Sequence, residues 1–254
     1  MRRIVSHARD LTTTAAVVVL WQLIAGVVYP HYNAASQNIF PAPSTVLAIG
    51  WNMLGNGELV RDIAISVTRV IMGFALASIV AVPLGLSMGA WTGWGRQVQV
   101  VVDVLRPVPP FAWIPFGLLW FGIGDQESIF VIFIAAVFPI LVNTVAGVKS
   151  VELVLIRSGL CLGANRSKLF WYVVLPRAMP HILLGMRVGL GFAWMVLVAA
   201  ELIGSTSGLG FLIMDSRNAG LPSLAFLGMF VIGIIGYLLD ALLRAVERSL
   251  IAWR

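Results

Sequence analysis

Apolar positions along the 254-residue chain gather into six long runs: Thr13 to Tyr29, Ile65 to Ala90, Val98 to Trp120, Ile129 to Val148, Ile182 to Gly204, and Leu224 to Leu243. Each compares with the roughly 20 residues that cross a hydrocarbon core of about 30 Å. The pattern predicts an all-α polytopic membrane protein with six transmembrane helices in one transmembrane domain over residues 1–254. The first connector, residues 30–57, is rich in Pro, Asn, Gln and Ser, and after Pro43 it predicts an interfacial helix with Ser44 placed to cap it. A second connector, residues 149–181, is the most polar stretch between spans. Its Leu155, Leu160, Leu162, Leu169 and Phe170 recur at helical spacing, as in short helices lying at a membrane surface.

Composition agrees: 59% of residues are hydrophobic and 11% charged, a balance that excludes a soluble domain, a disordered chain and a disulfide scaffold with its single cysteine, Cys161. The formal net charge of +6 acquires meaning from where the cations fall. With the N-terminus inside, Arg2, Arg3, Arg9, Arg96, Lys149, Arg157, Arg166, Lys168, Arg177, Arg244, Arg248 and Arg254 all become cytoplasmic, against Arg217 in an outer connector. Both termini are then cytoplasmic, residues 30–57 are external and residues 149–181 are cytoplasmic. The excess charge therefore reads as topology and not as nucleic-acid affinity. Arg2, Arg3 and Arg9 before an apolar run resemble a secretory leader. No small-x-small cleavage site follows before Pro30, so the run is expected to stay as a helix.

The 149–181 connector holds the most specific pattern: Leu162-Gly163-Ala164-Asn165-Arg166-Ser167-Lys168-Leu169-Phe170, then Val173-Val174-Leu175-Pro176-Arg177-Ala178-Met179-Pro180. Gly163 permits a sharp turn because glycine takes positive φ without steric cost. Leu175-Pro176 is expected to stop the second segment, giving a compact helix, turn, helix. A plain basic loop resting on anionic lipid is the alternative from composition.

This arrangement resembles the cytoplasmic EAA loop of permease subunits of binding-protein-dependent ABC importers, in which Glu-Ala-Ala is followed after three residues by Gly and about nine residues later by Leu-Pro. The second half matches; Arg157, Ser158 and Gly159 stand at the Glu-Ala-Ala positions. Leu105-Arg106-Pro107-Val108-Pro109-Pro110-Phe111-Ala112-Trp113-Ile114-Pro115, Trp120-Phe121-Gly122-Ile123-Gly124, Ala146-Gly147-Val148-Lys149-Ser150 and Ala199-Ala200-Glu201-Leu202-Ile203-Gly204 are similar to the nitrate, sulfonate and taurine branch. The resemblance runs from Glu58 to about Trp253. It implies a type I ABC importer permease fold carrying a small oxyanion, with taurine or another sulfonate first and nitrate or bicarbonate next. The implied partners are a second permease copy, two cytoplasmic ABC ATPase subunits, an external substrate-binding protein and the lipid bilayer of the cell inner membrane. Coupling to the ATPase would fall to Arg157, Ser158, Gly159, Gly163, Ala164, Asn165, Leu175 and Pro176. The chain has no phosphate loop around Lys149 or Lys168. It is expected to be no enzyme and to hold no cofactor of its own, ATP and Mg being bound by the partner ATPase subunits.

The third run has a physical peculiarity. Pro107, Pro109, Pro110 and Pro115 remove backbone donors, which a helix tolerates in a membrane where it lines a cavity. Asp103 and Arg106 flank the break, and two readings stand: charges marking a pathway, or an i, i+3 pair neutralising itself. Pro109, Pro110, Trp113, Arg187 and Glu201 complete the candidate translocation pathway. Glu201 has a structural alternative, bonding the backbone of the Ser205-Thr206-Ser207-Gly208 turn, and Arg187 can either snorkel to the inner face or meet an outgoing anion. Asp240 and Arg244 are spaced to pair with each other. Gly85-Leu86-Ser87-Met88-Gly89 fits Gly-x-Ser-x-Gly literally, but lies inside a span with no histidine partner, so it and Gly185-Met186-Arg187-Val188-Gly189 read as helix-packing stripes. His7, His31, His181 and Cys161 are too scattered for a metal site. A stand-alone secondary transporter or channel is the competing class; an intramembrane enzyme lacks its constellation.

Overall fold

The structure is a computed structural model that describes residue 16, residues 18–28 and residues 40–250. Every regular element among them is helical: α1 (residues 18–28, closing in a π turn at Ile24–Val28), α2 (Pro43–Gly55), α3 (Glu58–Ala90), α4 (Thr92–Leu105), a 3₁₀ turn (Pro110–Trp113), α5 (Ile114–Phe121), α6 (Asp125–Lys149), α7 (Leu153–Cys161), α8 (Arg166–Leu169), a π turn (Phe170–Val174), α9 (Leu175–Gly204), α10 (Leu209–Asn218) and α11 (Pro222–Leu250). Four helices among the described residues are long and apolar enough to cross a membrane: α3, α6, the continuous helix Arg166–Gly204, and α11. These correspond to four of the six predicted runs. Most of the Thr13–Tyr29 run is α1, and its remainder, with the basic N-terminus, lies outside the described residues.

The Val98–Trp120 run carries the break its prolines announced, and the break leaves two separate helices. Helix α4 begins earlier, at Thr92, and stops at Leu105, and helical structure resumes only at Pro110. Four prolines within nine residues remove the donors a continuous ladder needs. Pro110 and Pro115 stand instead in the first turns of the 3₁₀ turn and of α5, where a missing N–H costs nothing.

The described residues form two compact units. The first takes the described residues up to Ala64 together with Ser207–Gly233. In it Trp21 stacks on Phe230 at 5.0 Å between ring centroids, and Phe40 meets Phe226 edge-on at 5.9 Å. Helix α2 forms where predicted, but Ser44 is not its cap. Ala42 holds that position, and Ser44 N–H, 3.2 Å from Gln22 Oε1, is satisfied from α1, while Ser44 Oγ accepts from Gln22 Nε2. Helix α10 ends at Gly220 (φ +70°), whose N–H donates to Arg217 O while Leu221 N–H donates to Ser216 O.

The second unit, Ile65–Thr206 and the described residues from Ile234 onward, holds the packed core. Glycines let its helix backbones close on one another. A Cβ on Gly85 or Gly89 of α3 would lie 2.7 Å from Thr144 Cβ or 2.5 Å from Val148 Cβ of α6. On α9, a Cβ at Gly185 would meet Asn143 Cβ at 2.7 Å, and one at Gly189 would meet Ile140 Cγ1 at 2.9 Å. Both stripes therefore serve helix packing, which inside a membrane depends on close van der Waals approach. Asp125 and Glu127 in the first turn of α6 and Lys149 in its last also suit the helix dipole.

Candidate functional site

Three groups of predicted residues fall in the second unit. The first surrounds the proline break. Arg106 caps α4 and, with Val108 and Pro110, lines an open cavity of about 220 Å³ that Phe138, Pro139 and Asn143 of α6 and Val188 and Phe192 of α9 also line. The self-neutralising reading of Asp103 and Arg106 is not what is seen. Asp103 accepts from Gln99 Nε2 one turn back at 2.8 Å, and the ion pairs among the described residues do not include Arg106. Asn143 donates one amide hydrogen to Pro139 O at 2.8 Å and keeps a second. Pro109 is exposed. Trp113 packs on Phe116 and Phe130 with its indole N–H buried and unpaired.

The second group is the corner between α7 and α8. Helix α7 buries no side chain. It ends in a Schellman motif: Gly163 N–H donates to Leu160 O and Ala164 N–H to Gly159 O, both at 3.0 Å, with Gly163 at φ +79°. Asn165 follows at once as N-cap of α8, its Oδ1 accepting from Lys168 N–H at 2.8 Å. Gly159 lets Leu169 lie against α7, since a Cβ there would meet Leu169 Cδ1 at 2.7 Å. Two helix ends are thus satisfied within three residues. Arg157 and Ser158 lie on an exposed face with Val154 and Leu162.

Leu175-Pro176 does not stop the segment, contrary to expectation. The helix widens into the π turn Phe170–Val174 and then runs on as α9, with Pro176 in its first turn. A wide turn ahead of a proline accommodates its ring and missing N–H. The result is one helix of 39 residues from Arg166 to Gly204. The Ala146–Ser150 motif braces it: Gly147 leaves room for His181 and Ala178, and Ser150 Oγ donates back to Gly147 O.

The third group contains Glu201, fully buried near the end of α9. The bonds it makes reach α3: Ser66 Oγ donates to both carboxylate oxygens at 2.8 and 2.9 Å, and Arg69 Nη1 lies 2.7 Å from Oε1. Arg69, itself 3% exposed, also grips Asp125 Oδ1 through Nε and Nη2 at 2.8 and 2.6 Å. Beside them Glu127 is buried, with Oε2 accepting from Ser128 Oγ and Oε1 unpaired. Gly122 and Gly124, at φ +76° and +139°, turn the chain into α6, and Gly124 N–H bonds Gly204 O. Arg187 lies apart from all three groups: its Nε is 2.7 Å from Asp240 Oδ1, and Asp240 also takes Arg244, as the i, i+4 spacing implied.

Sequence reasoning missed Ser66, Arg69, Asp125, Glu127 and Asn143. The signal for Arg69 was present, since a lone arginine inside an apolar run of α3 needs a partner. Its partners lie 56 and 132 residues away, beyond any local spacing rule.

A helical membrane bundle with a broken helix lining a cavity and a surface helical corner joined to a span defines the class of membrane transport subunits. Residues 73–252 match the family of binding-protein-dependent transport system inner membrane components. An ABC transporter permease of Methanocaldococcus jannaschii is 41% identical over 245 residues, covering 96% of this chain and 91% of its own. The taurine transport system permease protein TauC of Escherichia coli K12 is 36% identical (96% and 89% covered) and the nitrate import permease protein NrtB of Synechocystis 31% (94% and 87%). The inward-facing MetNI methionine ABC transporter shares the fold, with a TM-score of 0.67 at 19% identity over 76% of this chain and 96% of that one. The chain belongs to this family and is an ABC importer permease of the taurine, sulfonate and nitrate branch.

Proposed function

We propose that the chain is the membrane subunit of an ATP-driven importer of a small oxyanion, with taurine or another sulfonate first and nitrate or bicarbonate next. Two copies form the pathway in the cell inner membrane with both termini in the cytoplasm. Two ATPase subunits dock on the exposed face of α7, and an external binding protein delivers the anion. ATP and Mg²⁺ are bound by the ATPase subunits. The observation that carries this reading is the corner at Gly163. Because the helix that follows it continues to Gly204, displacement of α7 by a closing ATPase dimer moves a spanning helix directly.

Gly163→Val tests it. The site has open space for a side chain, so the substitution acts through φ alone, which a β-branched residue tolerates poorly. In proteoliposomes holding the full transporter, taurine uptake and its stimulation of ATP hydrolysis are expected to fall at least about tenfold, with membrane insertion intact, while Gly163→Asn keeps most activity. Uptake by the chain alone, driven by an ion gradient, overturns the reading.

A further inference from the structure

The cavity at the proline break contains one formal charge, Arg106, and that charge has no ion-pair partner among the described residues. Its depth follows from the helices that wall it. Phe138 and Pro139 fall at the middle of the 25-residue α6, and Val188 and Phe192 straddle the middle of the 30-residue α9. When both helices cross the bilayer, the cavity lies near the midplane, where an unpaired guanidinium is costly and stands against the bundle interior or a water-filled space. The break in the third run explains how it is held there, because irregular backbone persists at that depth only beside a cavity. The nearest acid in sequence, Asp103, is turned to Gln99. The remaining polar wall group, Asn143, has a spare amide hydrogen, and the rest of the wall is aliphatic, aromatic or proline.

We infer that Arg106, with Asn143 beside it, is the permease's own contact for the transported oxyanion: a planar cationic fork for a sulfonate or nitrate group, with Val188 and Phe192 against the methylene carbons of a sulfonate. This rests on the importer reading and adds to it that the membrane subunit takes part in choosing the charge of its cargo.

Cys161 is the chain's single cysteine, so a Cys161→Ser, Val188→Cys protein carries one thiol in the cavity. In nanodiscs, that thiol is expected to react with the anionic sulfonatoethyl methanethiosulfonate at least about tenfold faster, relative to the cationic trimethylammonioethyl reagent, than it does once Arg106→Gln is added. Taurine at millimolar concentration is expected to slow the reaction in the Arg106 protein only. An unchanged reagent preference after Arg106→Gln overturns the inference. In the complete transporter, Arg106→Gln is expected to cut taurine and nitrate uptake at least about tenfold, and Arg106→Lys to restore part of it. Wild-type uptake by Arg106→Gln overturns the inference also. A wild-type complex that transports no oxyanion would defeat the importer reading while leaving the thiol measurement to decide whether the cavity selects anions.

Discussion

Arg69 and Arg106 stand in the same unit, one buried in the core and the other exposed, and they are held in opposite ways. Arg69 is 3% exposed and its guanidinium is spent on Glu201 and Asp125. Arg106 opens on a cavity and has no ion-pair partner among the described residues. A buried charge that is fully bonded fixes the arrangement of the helices that supply its partners, here α3, α6 and α9. A charge left unbonded beside a cavity is available to something that comes and goes. Arg187, half-exposed and paired with Asp240, lies between the two cases.

The largest effect is expected where Arg69 is removed from the buried Glu201. Arg69→Met leaves the fully buried Glu201 without its cation and should cost about 3–5 kcal/mol, read as a fall in the unfolding midpoint of the purified protein in detergent. Adding Glu201→Gln should return part of it, because the stranded charge disappears. Gly85→Val comes next at about 1–3 kcal/mol, since its side chain must displace Thr144 from the α3–α6 contact. Asp240→Asn should cost no more than about 1 kcal/mol, as exposed pairs do. Arg106→Gln should alter the midpoint by less than about 0.5 kcal/mol, its consequence lying in transport. A large stability loss at Arg106, or none at Arg69, would break the contrast.

How much of this was legible in the sequence depended on the range over which each feature is determined. Four of the six apolar runs, the Gly163 turn, the glycine stripes and the Asp240–Arg244 pair are local, set by residues within one or two helical turns, and each of these is present in the structure. The prolines announced a break in the third run but not that it would leave two separate helices. Leu175-Pro176 misled, because a π turn absorbed a proline that ordinarily ends a helix. Ser44 failed as a cap because the helix begins at Pro43, which places Ser44 inside its first turn and Ala42 at the cap.

By itself, then, the amino-acid order determined which segments seek hydrocarbon, where the chain must bend, and which family's motifs it carries, since hydropathy and backbone strain are properties of short stretches. Only the tertiary structure decided whether Arg69 and Arg106 were to be neutralised. Whether an arginine in an apolar helix is a strut or a ligand depends on what distant helices bring within about 3 Å of it, and no spacing along the chain encodes that.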